Sequence, residues 1–342
     1  MNHSRRKFLK QAGLLFTTSA SPISFEFALA KAEVMTVNGP IKAKAMGMSL
    51  IHEHILVDFI GADKISFDRW DRAQVVKKVL PYLLEVRELG VKTLVECTPA
   101  YLGRDARLLD ELSDRSEIQI ITNTGYYGAR ENQHLPKHAF KDDAEQLAER
   151  WIKEFENGID GTSIKPGFMK IGVDTGTLSD LHRKLITAAA IAHKATGLTI
   201  ASHTGASLAA FEQMEILKEQ GVQHNAFIWV HAQGEDDVQK HVEAARLGTW
   251  VSLDYVSEGT VERYLEILQR LKAEKLLHRV LLSHDAGWYK PEETNGGDFR
   301  SYTDLFEFML PAMQEKGFSK AEIKTMLENN PAEAFTITKR LA

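Results

Sequence analysis

A single cysteine, Cys97, occurs in 342 residues, so no disulfide can form within the chain and no thiolate cluster can hold a metal. Stability must come from packing, together with any metal that binds. A basic excess is also missing, since 42 Lys and Arg stand against 47 Asp and Glu, a formal net charge of −5. Nothing electrostatic points to nucleic acid or to an anionic membrane surface. No segment approaches the roughly 20 consecutive apolar residues of a membrane span. What remains, 44% hydrophobic and 26% charged, is the composition of a globular protein whose default partner is a small molecule.

The N-terminus carries a signal of its own. Ser4-Arg5-Arg6-Lys7-Phe8-Leu9-Lys10, a short apolar stretch from Ala12 to Ser19, and Ala28-Leu29-Ala30 resemble a twin-arginine export signal, read by a pathway that exports folded proteins. Residues 1–32 are expected to be that signal. The mature chain then starts near Lys31 or Glu33 and works in the periplasm as a protein free of the membrane.

Beyond it, Val34 to Val37 and Ile41 to Ala45 flank Asn38-Gly39-Pro40, a turn sequence that predicts a short hairpin. Eight apolar, β-branched runs follow: Ser49 to Ile55, Thr93 to Glu96, Ile118 to Asn123, Phe168 to Gly172, Thr199 to His203, Phe227 to His231, Trp250 to Leu253 and Val280 to Ser283. Between them, apolar residues at spacings of three and four predict helices over Ala73–Leu89, Ala144–Asn157, Ser179–Thr196, Ser207–Gln220, Asp236–Leu247 and Val261–Glu274. A last helix is expected from Ser319 to the residues before Pro331. No linker or repeat interrupts residues 33–342, which read as one domain. The alternation fits a (β/α)8 barrel, although doubly wound sheets share it.

The chemistry-bearing residues separate the two. In a strand, alternate residues share a face, so His52 and His54 point one way and Glu53 the other. His203 and His231 each close an apolar run, and Asp285 follows the last one within Ser283-His284-Asp285. In a barrel the carboxyl ends of all eight strands face one mouth, where these residues can gather around metal. An open sheet cannot assemble them. Lys170 sits inside an apolar run, where an unpaired ammonium is costly. Burial can lower its pKa until the neutral amine takes up carbon dioxide and becomes a carbamate ligand. Taken alone, a lysine paired with Asp174 or another carboxylate is the better explanation.

The series from Gly47 to His54, with Lys170, Ser202-His203-Thr204, Val230-His231 and Ser283-His284-Asp285, resembles the phosphotriesterase family of the amidohydrolase superfamily. Leu102-Gly103-Arg104-Asp105 and Asn330-Pro331-Ala332-Glu333-Ala334-Phe335 extend the likeness over nearly the whole mature chain. The resemblance implies a barrel holding two divalent metal ions, with His52, His54 and Asp285 on the buried ion and His203 and His231 on the exposed one. It also implies Lys170 as N6-carboxylysine bridging both ions with a hydroxide, Asp285 as the catalytic proton acceptor, and a homodimer. Zinc suits the nitrogen-rich ligand set. Glu53 is expected to support a ligand from behind.

Departures bear on the substrate. Family members that cleave organophosphate triesters carry a proton relay where this chain has Gly234 and Tyr255. Lactonase members resemble it in a tyrosine matched by Tyr127, but they carry an arginine where Tyr255 stands. Tyr126, Tyr127, Tyr255 and Trp288 are the expected aromatic wall of a substrate pocket. The reading favoured here is hydrolysis of a carboxyl ester or lactone by attack of the bridging hydroxide. Phosphoester hydrolysis and an inactive, metal-containing binding protein are the alternatives.

Overall fold

The computed structural model describes residues 32–342, so the expected export signal lies outside the described residues apart from Ala32. β1 (Glu33–Thr36) and β2 (Gly39–Lys42) pair antiparallel, but the turn is Val37-Asn38, and Gly39 and Pro40 pair with Thr36 and Met35 within the strands of the expected hairpin. Its Val34 is fully buried against Ile121, Phe168 and Phe335, so the hairpin helps to floor the amino-terminal end of the fold.

The eight apolar runs form β3 (Ser49–Leu56), β4 (Thr93–Glu96), β5 (Gln119–Ile121) with β6 (Asn123–Thr124), β7 (Phe168–Gly172), β8 (Ile200–His203), β9 (Phe227–Val230), β10 (Trp250–Leu253) and β11 (Val280–Leu282). The third run is split at Thr122, and a short β12 (Gly287–Tyr289), not anticipated from sequence, follows the eighth. All these strands pair in parallel, in the orders β11-β10-β9-β8-β7-β6 and β12-β3-β4-β5. Two backbone bonds tie the loop after β11 to β3: Asp285 N–H donates to His52 O at 2.9 Å, and His54 N–H donates to Ala286 O at 2.9 Å. The ring is a (β/α)8 barrel. Its strands are buried on both faces, which is why they read as continuous apolar runs and not as alternating ones.

Four of the barrel helices begin on side-chain caps that satisfy otherwise unpaired N–H groups: Asp71 for Arg72–Glu88, Asp143 for Ala144–Asn157, Ser179 for Asp180–Thr196 and Asp237 for Val238–Leu247. A helix at Ala106–Ser116, capped by Asp105, was not singled out by periodicity although it buries Leu108, Leu109 and Leu112. The last helix corrects another expectation. It does not stop before Pro331: Lys320–Lys324 runs through a π-helical turn, Thr325–Asn329, into Asn330–Ala334. The widened turn places Pro331 in the first turn of a new segment, where its missing N–H leaves no bond unmade.

Candidate metal centre

Side chains inside the barrel change character from floor to mouth. On β7, Phe168 packs on Phe335 with ring centroids 5.4 Å apart, and two residues on, Lys170 takes the same face. Two further on is Gly172, where a Cβ would lie 2.7 Å from the Tyr127 ring, so the glycine makes room for that tyrosine. On β8, Ala201 precedes His203, and on β10, Trp250 precedes Ser252 and Asp254.

β3 needs an irregularity to do the same. Ile51 belongs to the barrel interior, so strict alternation would bring Glu53 into the mouth. The pairing of β3 with β4 shifts register between Leu50 and Glu53. His52 and His54 line the mouth instead, and Glu53 turns toward the end of β11.

A cavity of about 370 Å³ at this mouth gathers His52, His54, Lys170, His203, His231 and Asp285, with Phe59, Leu102, Tyr127 and Trp288 among its walls. Asp285 stands among the rings: its Oδ1 lies 3.0 Å from His54 Nε2 and 3.7 Å from His52 Nε2, and its Oδ2 lies 3.9 Å from His231 Nε2. The His203 ring is 4.4 Å from that of His231, centroid to centroid, and 5.1 Å from that of Tyr127. Lys170 is 2% exposed and forms no ion pair among the described residues. Asp174, its candidate partner, instead accepts from Glu131 N–H and lies 3.8 Å from His182 Nε2.

The other ring nitrogens are held from behind. Asp254 accepts from His52 Nδ1–H at 2.9 Å and from His231 Nδ1–H at 2.7 Å, and His54 Nδ1 meets Thr98 Oγ1 at 2.8 Å. This fixes the tautomers of His52 and His231 and leaves each Nε2 lone pair facing the cavity. Burial alone would push the Asp254 carboxyl up, but the His231 and His52 rings outweigh it and hold the group well below the usual carboxylate range. His52, His231 and Asp254 also lie close enough together to be considered as a metal group. Their mutual hydrogen bonds identify Asp254 as the support of the two rings.

His52, His54 and Asp285 form the group that faces the cavity, and its chemistry fits a divalent cation. Asp285 Oδ1 is buried without a hydrogen-bond partner, an orphan acceptor that a cation would satisfy. Burial pushes the Asp285 carboxyl up, yet His52 and His54 outweigh this and keep it ionised. Burial, then the neighbouring His231 and Lys170, holds His203 well below the ordinary imidazole range, so it is neutral and able to donate a lone pair. His231 and Asp285 both take left-handed backbone, with φ of 61° and 52°, a strained conformation of the sort that clusters at functional sites.

Glu53 holds the segment on either side of Asp285. It accepts from Ser283 Oγ–H at 2.6 Å, His284 Nδ1–H at 2.7 Å, His284 N–H at 3.0 Å and Ala286 N–H at 2.9 Å. His284 Nε2 in turn accepts from Leu305 N–H, so this ring is committed to structure.

The expected aromatic wall divides. Tyr127 and Trp288 line the cavity, with Trp288 5.3 Å from the His54 ring. Tyr126 does not. It lies in a separate cavity of about 600 Å³ with Trp70, Tyr101 and Arg104, its hydroxyl 3.0 Å from His138 Nε2. Tyr255 is 49% exposed, outside the cavity and beneath the Arg300 guanidinium. Asp254, which the sequence reading passed over, had a signal: a carboxylate closing an apolar strand, the pattern that singled out Asp285.

Comparison with known proteins bears on the fold and the family. The chain matches the Phosphotriesterase family over residues 32–335. It is 30% identical over 293 residues to a phosphotriesterase homology protein of Escherichia coli, covering 84% of this chain and 98% of the relative. It is 28% identical to an aryldialkylphosphatase of Saccharolobus solfataricus, over 86% of this chain and 97% of that one. An N-acetyltaurine hydrolase of Rattus norvegicus is 24% identical over 89% of this chain and 98% of its own. A crystal structure of the E. coli phosphotriesterase homology protein, with phosphate in its active site, superposes with a TM-score of 0.74 at 28% identity, covering 85% of this chain and 99% of that one. By fold and by sequence over almost all of its described length, the chain belongs to the phosphotriesterase family.

Proposed function

We propose that this protein is a metal-dependent hydrolase of a carboxyl ester or lactone. The observation that carries the reading is the convergence of four histidines, Lys170 and Asp285 on one cavity, with the outer nitrogens of His52, His54 and His231 already occupied. His52, His54 and Asp285 would hold one divalent cation and His203 and His231 a second, with Lys170, as N6-carboxylysine, shared between them. Two such ions, zinc being the natural choice for this donor set, would acidify a water and polarise the scissile bond.

The chain's own groups do the rest. Asp285 is ionised, reaches the cavity and is the proton acceptor for the attacking water. Lys170 is buried and has no carboxylate partner among the described residues; its amine, once deprotonated, would add carbon dioxide to give a carbamate and a proton. Tyr127 and Trp288 pack against the substrate and exclude water. Gly234 and Tyr255 stand where the triesterase relay would be, which favours an ester or lactone over an organophosphate triester. Export through the twin-arginine pathway and pairing as a homodimer complete the reading.

The test is a substrate screen of the metal-reconstituted mature chain against lactones, carboxyl esters, phosphotriesters and N-acyl amides. Turnover of an ester or lactone that disappears on chelation and returns with zinc is expected. Two bound cations per chain with no turnover across the panel would overturn the proposal in favour of a binding protein.

A further inference from the structure

The loop that leaves β6 passes the cavity at Tyr127 and turns sharply three residues later. Arg130, Glu131 and Asn132 have φ of 59°, 57° and 62°, three successive non-glycine residues in left-handed backbone, each costing roughly 1 kcal/mol. The turn is pinned on both sides: Asn132 N–H donates to Gly128 O at 3.2 Å, and Ala62 N–H donates to Gln133 O at 3.0 Å. It displays one side chain over the cavity wall. The Arg130 guanidinium carbon lies 4.4 Å from the centroid of Phe59, a lining residue. From Phe59 the aromatic path continues to Trp288 at 5.6 Å and from Trp288 to His54 at 5.3 Å.

Arg130 is exposed and, among the described residues, forms no salt bridge. Carboxylates near the turn include Glu131 on the turn itself, Asp174, which accepts from Glu131 N–H, and Asp58, which is paired with Arg69. Under the loop, His134 is fully buried against Phe59, with both ring nitrogens unpartnered. Burial first, then Arg130, pushes its pKa down to about 4. The ring is thus neutral and cannot serve as Arg130's counterion or as a second cation. A guanidinium without an ion-pair partner among the described residues, held over an aromatic wall by a strained turn, is a geometry suited to an oxyanion that arrives with a ligand.

We propose that Arg130 is a specificity-determining residue, and that the substrate carries an anionic group, a carboxylate, sulfonate or phosphonate, on the part that projects past Trp288 and Phe59 to the rim. The proposal rests on the hydrolase reading for the word substrate, but the anion site stands on its own geometry.

Two measurements separate them. The first compares an anionic ester, 4-nitrophenyl hydrogen glutarate, with its neutral partner, 4-nitrophenyl methyl glutarate, on metal-loaded wild type, Arg130→Gln and Arg130→Lys. The Gln variant is expected to raise KM for the anionic ester about tenfold, the order of one charge-assisted contact, with kcat and the neutral ester unchanged. The Lys variant should keep part of the preference, and added salt should shrink it. The second is calorimetric binding of 1-pentanesulfonate to metal-loaded wild type and Arg130→Gln, which needs no turnover. Sulfonate binding lost in the variant while neither ester is cleaved would sink the hydrolase reading and leave the anion site. Equal effects on both esters, or sulfonate binding that is unmeasurable in wild type or unchanged in Arg130→Gln, would overturn the assignment of Arg130.

Discussion

His52 Nδ1 lies 2.9 Å from Asp254 Oδ2, a buried contact between residues 202 positions apart in the chain. The other oxygen of the same carboxylate accepts from His231 Nδ1–H at 2.7 Å. Ser252 Oγ–H and Gln233 Nε2–H also donate to it, so every approach to Asp254 is occupied. One side chain therefore orients two rings assigned to different cations.

Asp254→Asn replaces one acceptor oxygen by a donor, so one of the two rings must lose its partner or change tautomer. Metal content and kcat/KM are expected to fall together, by about 10- to 100-fold in affinity or activity. Elemental analysis after dialysis, alongside kinetics, checks this. Full metal occupancy with unchanged turnover would show that Asp254 does not position the rings.

Lys170→Ala removes the side chain proposed to carry the carbamate and should abolish both metal retention and hydrolysis. A short carboxylic acid supplied with zinc should restore part of each, because it can occupy the space the side chain left. Retained activity without the acid would contradict the bridging role.

Glu53→Gln keeps the shape of the Glu53 side chain but removes the buried charge that His284 and the Ser283–Ala286 segment are built around. Because His284 Nε2 accepts from Leu305 N–H, the contact with His284 is a charge-assisted hydrogen bond, and weakening it costs roughly 2 kcal/mol. Urea denaturation of the chelated protein should show a loss of that order, with weakened metal binding as Asp285 loses its support. A loss below about 1 kcal/mol, typical of a surface pair, would mean that the clasp is dispensable.

Glu96 gives a pH signature. Burial is the main cause that pushes its pKa up to about 7, above the 4.5 of an exposed glutamate. Below 4.5 both states are protonated and nothing changes. Between 4.5 and 7 the folded chain binds the extra proton, so stability falls as pH rises, and the penalty is complete above 7, on the order of 3 kcal/mol. Melting of the chelated protein from pH 4.5 to 8.5 should show Glu96→Gln gaining on wild type across that window. Parallel curves would remove Glu96 as the cause.

The aromatic residues can be told apart by substitution. Tyr127→Ala opens the cavity wall and should lower kcat/KM by about tenfold or more, whereas Tyr255→Ala, at an exposed position, should stay within about twofold. Equal losses would return Tyr255 to the substrate wall.

The sequence by itself determined the barrel and the chemical identity of its mouth. Parallel strands buried on both faces must be continuous apolar runs, so a histidine, lysine or aspartate closing such a run stands out, as His203, Lys170 and Asp285 do. The start of the last helix at its serine cap, Ser319, was legible from local residues alone. The tertiary structure decided what depends on distant partners. Strand alternation separated His52 and His54 from Glu53, but it could not foresee the register shift between Leu50 and Glu53 or that Glu53 would meet the Ser283–Ala286 segment. Nor can it tell that Tyr127, with Gly172 opposite, enters the cavity while Tyr126 turns to His138. Asp254 was a carboxylate at a strand end like any other, and closure of the barrel brought His52 and His231 within hydrogen-bonding reach of it.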